Sequence, residues 1–148
     1  MHQSPRHKYK LKIMPYLFTF IFLGLSTSHA DISPENIPHT TKLNAEQFIE
    51  LASTQPDLVI IDSRIAGDRK KGFIEGSFSR PNTETNCETI KQFVKSKSTP
   101  SLYYCNGIKC GRSVKAIKIA LACGYNNIYW FRGGFEEWLE KSLPYIQK

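Results

Sequence analysis

Three short apolar runs limit what this chain can fold into more than any other feature: "DLVIID" (residues 57–62), "SLYYC" (101–105) and "NIYWF" (127–131). Each is too short for a core helix and carries β-branched or aromatic residues. They read as strands, the first two buried on both faces. Segments of helical period lie between them. In "LNAEQFIELAST", Leu43, Phe48, Ile49 and Ala52 supply an apolar face, and Asn44 with Gln47 three residues on forms a capping box. "NTETNCETIKQFVKS" is a weaker helix, "RSVKAIKIALACG" a strong one with Gly124 as its C-terminal cap, and "GGFEEWLEK" starts a last helix that Pro144 helps to end. The polar stretch over residues 63–82 is a connection holding a short strand near residues 77–80. Strands alternating with helices at this spacing predict the α/β class: a central, mostly parallel sheet of about five strands with helices on both faces.

Charge looks at first like a signature of a nucleic-acid or membrane partner, since the 148 residues carry a formal +7. Its distribution removes that impression. Arg6, Lys8, Lys10 and Lys12 precede a 13-residue apolar run at 13–25, then "STSHA", with Ser28 and Ala30 as small residues before Asp31. Basic, apolar and small-residue regions in that order predict a signal peptide over residues 1–30, cleaved after Ala30, and hence an exported or periplasmic protein with no stable membrane span after cleavage. The remaining 118 residues would carry only +3, with no basic stripe interleaved with aromatics, so nucleic acid is not an expected partner. Residues 31–42 read as a lead-in and 43–148 as one domain with a single core. All four cysteines, Cys87, Cys105, Cys110 and Cys123, fall in the exported part. That compartment favours disulfides, yet four thiols are too few to define a disulfide scaffold, which leaves room for a reactive one.

Ligands of parallel α/β sheets bind beyond the carboxyl ends of the strands, and "YYCNGIKCGRS" occupies such a junction. With Tyr104 ending a strand and Arg112 opening a helix, Cys105 stands at the strand's carboxyl end and residues 106–111 loop into the helix N-terminus. Loop amides and the helix dipole there favour an anion, so a thiol facing them ionises readily. Cys105 is the expected nucleophile. Asn106, Gly107, Ile108, Lys109, Cys110 and Gly111 form the cradle, Arg112 and Lys109 add positive charge for an anionic substrate, and Ser113 adds a hydrogen bond. Cys110 also lies near the helix start, but at the rim; it reads as a resolving thiol or a disulfide partner.

These residues resemble the rhodanese family. "LVIIDSR", "KKGFIEGS" and "YYCNGIKCGRSVKAIKIALACGYNNIYWFRGGFEEW" are similar in order to its Asp-x-Arg after a strand, its Gly-His-Ile-x-Gly-Ala turn, its Cys loop with Arg-Ser and a helix, and its Gly-Gly-x-x-x-Trp ending. The resemblance implies a sulfurtransferase in which Cys105 takes sulfane sulfur from a small anionic donor, becomes a persulfide and passes the sulfur to a thiol or cyanide acceptor, without a cofactor. Two departures stand out. Phe73 occupies the family's His position and reads as packing. Six residues separate Cys105 from Arg112, where common single-domain rhodaneses have four and related phosphatases and arsenate reductases five, so the cradle is wider than either.

Plainer roles compete at other positions. Asp62 and Arg64 read as structural residues beside the site, forming a buried ion pair or capping the connection. Cys123 reads as a small core residue, and Cys87 as a lone helix cysteine or another thiol's partner. Phe131, Phe135 and Trp138 pack the last helix on the sheet. His39 is the only histidine after residue 30, which disfavours both a Cys-His pair and a metal site. Two further function classes stay open: a thiol redox protein cycling Cys105 and Cys110 with a reducing partner, and a binding module that uses the anion cradle without turnover.

Overall fold

The computed structural model describes residues 33–147; the expected signal peptide lies outside them. Five parallel strands form one sheet in the order β1-β5-β4-β2-β3. They are β1 (Thr41–Leu43), β2 (Val59–Asp62), β3 (Phe78–Ser79), β4 (Ser101–Tyr104) and β5 (Ile128–Phe131). The three apolar runs are the central strands. The most buried, β4, lies in the middle, and the register sets Asp62, Tyr104 and Phe131 side by side at the carboxyl ends. The sheet is wholly parallel. Its fifth strand, β1, falls across the expected boundary at 42/43, because "TKL" is too short and polar to announce itself.

The helices among the described residues are α1 (Ala45–Thr54), α2 (Ala66–Arg69), α3 (Cys87–Lys91), α4 (Arg112–Ala122) and α5 (Gly134–Glu140). The α1 capping box forms as expected, Asn44 Oδ1 accepting from the Gln47 amide and Gln47 Oε1 from that of Asn44. Its buried face differs. Ala45 and Phe48 are buried and Leu51 half-buried, whereas Ile49 and Ala52 are exposed, so the stripe follows i, i+3, i+6. Gly124, at φ 86°, ends α4 in a Schellman motif: its amide donates to the Leu121 carbonyl (2.9 Å) and that of Tyr125 to Ala120 (3.1 Å). The weaker helix splits into a 3₁₀ turn at Asn82–Glu84 and α3, which starts only at the second box, Asn86 with Thr89.

Each sheet face has its own core. Ile61, Tyr103 and Trp130 pack with Ile90, Val94 and the inner side of α4; Leu102, Tyr104 and Phe131 pack with Phe48 of α1 and Phe135 and Trp138 of α5. Cys123 is half-buried against the first core but is not a free thiol: it is bonded to Cys87, which ties α3 to the end of α4. The bridge closes a 36-residue separation, so the double variant Cys87→Ala/Cys123→Ala should lose about 2–4 kcal/mol of stability. Urea unfolding with and without a reductant checks this: reductant should destabilise the parent far more than the variant.

Candidate active site at the carboxyl end of β4

Cys105 follows β4 directly, and the six residues after it lead to α4, whose first residue is Arg112. The backbone here is held from outside the loop. The amides of Phe135 and Glu136 at the start of α5 donate to the carbonyls of Cys105 (2.9 Å) and Asn106 (2.7 Å). This close approach needs Gly134, which sits at φ 60° and whose added Cβ would stand 2.8 Å from the Asn106 carbonyl oxygen. The Gly-Gly turn thus positions the cysteine loop as well as starting a helix. Gly134→Ala should cost about 1–2 kcal/mol for the left-handed backbone alone, and it should also shift the Cys105 carbonyl. A fall in both the unfolding midpoint and the rate of thiol alkylation in the reduced protein would show the two effects together.

Cys105 is 2% exposed and bonded to Cys110, with the two Cα atoms 6.2 Å apart. Its sulfur is therefore turned into the 106–111 loop rather than into either core. Gly107 and Gly111 do not have the left-handed backbone that inward-turning glycines often need; at Gly107 the missing Cβ makes room for the Glu136 carboxylate. The Cys110 amide is engaged in a turn to the Gly107 carbonyl (3.0 Å). No side chain caps α4 at Gly111, so the N–H groups of its first turn are left for an anion.

A cleft of about 290 Å³ opens beside the disulfide, lined by Asn106, Lys109, Cys110, Gly111, Arg112, Lys115 and Glu136. Of the expected cradle, then, Asn106, Lys109, Cys110, Gly111 and Arg112 meet at one place. Ile108 does not; its exposed side chain points to neighbouring clefts and its carbonyl accepts from the Ser33 amide (2.9 Å) and hydroxyl (2.7 Å). Ser113 is a correction: it is buried and its hydroxyl oxygen accepts from Trp130 Nε1 (3.1 Å), so it belongs to the core. Sequence reasoning missed three contributors. Lys115 lies three residues after Arg112 on the same helix face, a spacing that could have flagged it. Glu136 and Asp68 gave no such signal; Asp68 accepts from Asn106 Nδ2 (3.0 Å) and lies 3.4 Å from Arg112 Nη1. That pair is partly solvated, so an arriving anion meets little resistance in drawing Arg112 away.

Beneath the loop, Asp62 and Arg64 form the expected buried pair. Asp62 accepts from Arg64 Nε (2.9 Å) and Nη2 (2.8 Å), from Arg69 Nη1 (2.8 Å) and from the Tyr104 hydroxyl (2.9 Å). Burial opposes ionisation of Asp62, but the hydrogen bonds and charge of Arg64 outweigh it and hold the carboxyl below its ordinary range. Burial, with the Asp62 charge adding, pushes the Tyr104 phenol up to about 12. Arg64 stacks on the Phe135 ring at 4.3 Å and Arg69 on Phe73 at 3.8 Å. Phe73 thus packs, as expected, and also bridges to Ile146. Among the described residues no group of three or more His, Cys, Asp or Glu side chains is placed to hold a metal ion.

The profile of the rhodanese-like domain matches residues 44–141, most of the chain. The chain belongs to the rhodanese-like family. A tRNA uridine(34) hydroxylase of Wolbachia pipientis wMel is 29% identical over 145 residues, covering 94% of this chain and 47% of its own; the chain spans about half the length of the curated relatives it matches. Among solved structures, the polysulfide-sulfur transferase homodimer of Wolinella succinogenes aligns with a TM-score of 0.60 at 23% identity, over 74% of this chain and 80% of that one. The thiosulfate sulfurtransferase of Pseudomonas aeruginosa aligns with a TM-score of 0.62 at 21% identity, over 74% and 20%. These likenesses show the fold. In this rhodanese-like domain Cys105 follows the central strand, Arg112 starts the helix, and Cys110 lies between them.

Proposed function

We propose that this protein is an exported sulfurtransferase in which Cys105 accepts sulfane sulfur as a persulfide and hands it to a thiol or cyanide. One observation carries the reading: the Cys105 sulfur, at the end of the central strand, is turned into the loop that leads to an uncapped helix N-terminus, where a thiolate is the favoured form. Lys109, Arg112 and Lys115 on the adjoining cleft suit an anionic donor such as thiosulfate, or a persulfide. Export is supported by the basic-apolar-small order of residues 1–30 and by the bonding of all four cysteines in two disulfides, a pattern of oxidising compartments. Nucleic acid is not among the proposed partners, although relatives bear a tRNA-directed name. Glu136, Glu137 and Glu140 flank the loop on α5 and would repel a phosphate backbone. Thiocyanate formation by the reduced protein from cyanide with thiosulfate or an organic persulfide tests the proposal; no turnover with either donor would overturn it.

The Cys105–Cys110 bond itself favours a second reading, a dithiol–disulfide oxidoreductase. Reduction of insulin disulfides without sulfur transfer would select that one.

A further inference from the structure

Resting on the sulfur-transfer reading, we propose that Cys110 is a resolving thiol that attacks the Cys105 persulfide, releases its outer sulfur as sulfide, and closes the Cys105–Cys110 disulfide. The domain would then be a sulfane-sulfur reductase as well as a transferase. With thiosulfate as donor, the Cys105 thiolate bonds to the outer sulfur, the donor's S–S bond breaks, and sulfite leaves with the electron pair. The Cys110 thiolate then bonds to Cys105 Sγ, the persulfide bond breaks, and sulfide departs with that pair, taking up the proton Cys110 gave up. In sum, thiosulfate and two thiols yield sulfite, hydrogen sulfide and one disulfide. The sulfane sulfur is reduced, the two cysteines are oxidised, and a dithiol reductant from outside restores them.

Three features of the loop fit this. Both partners are held for the attack: Cys105 by the strand and by the Phe135 amide on its carbonyl, Cys110 by its turn to Gly107 and by α4 after it. Their Cα separation of 6.2 Å lies within the range a disulfide spans, so the persulfide's inner sulfur is within reach without a hinge. Second, the cations gather on the side of the attacking thiol. Arg112 Nη1 is 3.9 Å from Cys110 Sγ, and Lys109 and Lys115 share its cleft, which favours its thiolate form. Third, the two sulfurs differ in access. Cys110 lines the cleft while Cys105 is 2% exposed. A reductant therefore meets Cys110 first, forms its mixed disulfide there and expels Cys105 as the thiolate, the form that accepts the next sulfur.

The test uses reduced, desalted protein treated with thiosulfate, and separately with glutathione persulfide, with no other thiol added and Cys105→Ser as the blank. The parent should release roughly one sulfide per chain and end as the Cys105–Cys110 disulfide. Cys110→Ser should retain the added sulfur on Cys105 and release at least about tenfold less sulfide with thiosulfate, the loss expected when an intramolecular attack is removed. A parent that holds its persulfide as long as Cys110→Ser, with no sulfide and no disulfide, overturns the resolving role and leaves the transferase intact. Failure of both proteins to take up sulfur from either donor overturns the transferase reading and this inference with it.

Discussion

Exchanging Asp62 for Asn is expected to lower folding stability by about 3–5 kcal/mol, the usual cost of breaking a buried ion pair from one side. The carboxylate is fully buried and neutralises Arg64, itself 2% exposed, while also receiving Arg69 and the Tyr104 hydroxyl. The amide would leave Arg64 facing no anion in a place water does not reach, and the half-buried Arg69 without its carboxylate. Urea unfolding at pH 7 measures the loss; a change below about 1 kcal/mol, the range of exposed pairs, would mean that the network is solvated. Acid adds a second readout. The folded-state pKa of Asp62 is lowered, so its stabilisation is complete above the unfolded value of about 4 and disappears as pH falls through the folded value. The parent should therefore lose stability over that acid range by more than Asp62→Asn, which has no carboxyl there to protonate.

Cys105→Ser should lower sulfur transfer at least about a thousandfold, the scale on which removal of a covalent nucleophile acts. A serine hydroxyl stays protonated in the same loop and does not take up sulfane sulfur. The contrast with Cys110 is the informative part. Only Gly111 separates Cys110 from Arg112, too short a segment to wrap a sulfur, and Cys110 lines the cleft. Thiocyanate formation from cyanide and thiosulfate should therefore disappear in Cys105→Ser while persulfide loading persists in Cys110→Ser. The reverse pattern would move the nucleophile to Cys110 and with it the whole account of the site.

Much of this arrangement could be read from the chain alone. The central strands announced themselves because β2, β4 and β5 are buried runs of β-branched and aromatic residues, and the start of α1 and the end of α4 because Asn44 and Gly124 cap them in ways local geometry dictates. Placing Cys105 at a strand end and Arg112 at a helix start followed from those two boundaries. What escaped had no local signature. β1 is three residues long and exists because β5 offers it an edge. Ser113 looked like a ligand donor from its place beside Arg112, but one residue's turn on α4 aims it at Trp130 across the core. Asp68 and Glu136 reach the loop from α2 and α5, and Ser33 from ahead of the sheet; such contacts arise only when distant segments meet. The pairing of Cys87 with Cys123 is of the same kind, since four cysteines allow three connectivities.

Trypsin cuts after Lys97, Lys109 and Arg112, so Cys105 and Cys110 fall in separate peptides, residues 98–109 and 110–112. Loading the reduced Cys110→Ser protein with a sulfane-sulfur donor, blocking free thiols and mapping the digest by mass spectrometry locates the accepted atom directly. One added sulfur on the 98–109 peptide is the result this account predicts. An unmodified Cys105 in that peptide after exposure to thiosulfate and to glutathione persulfide would contradict it.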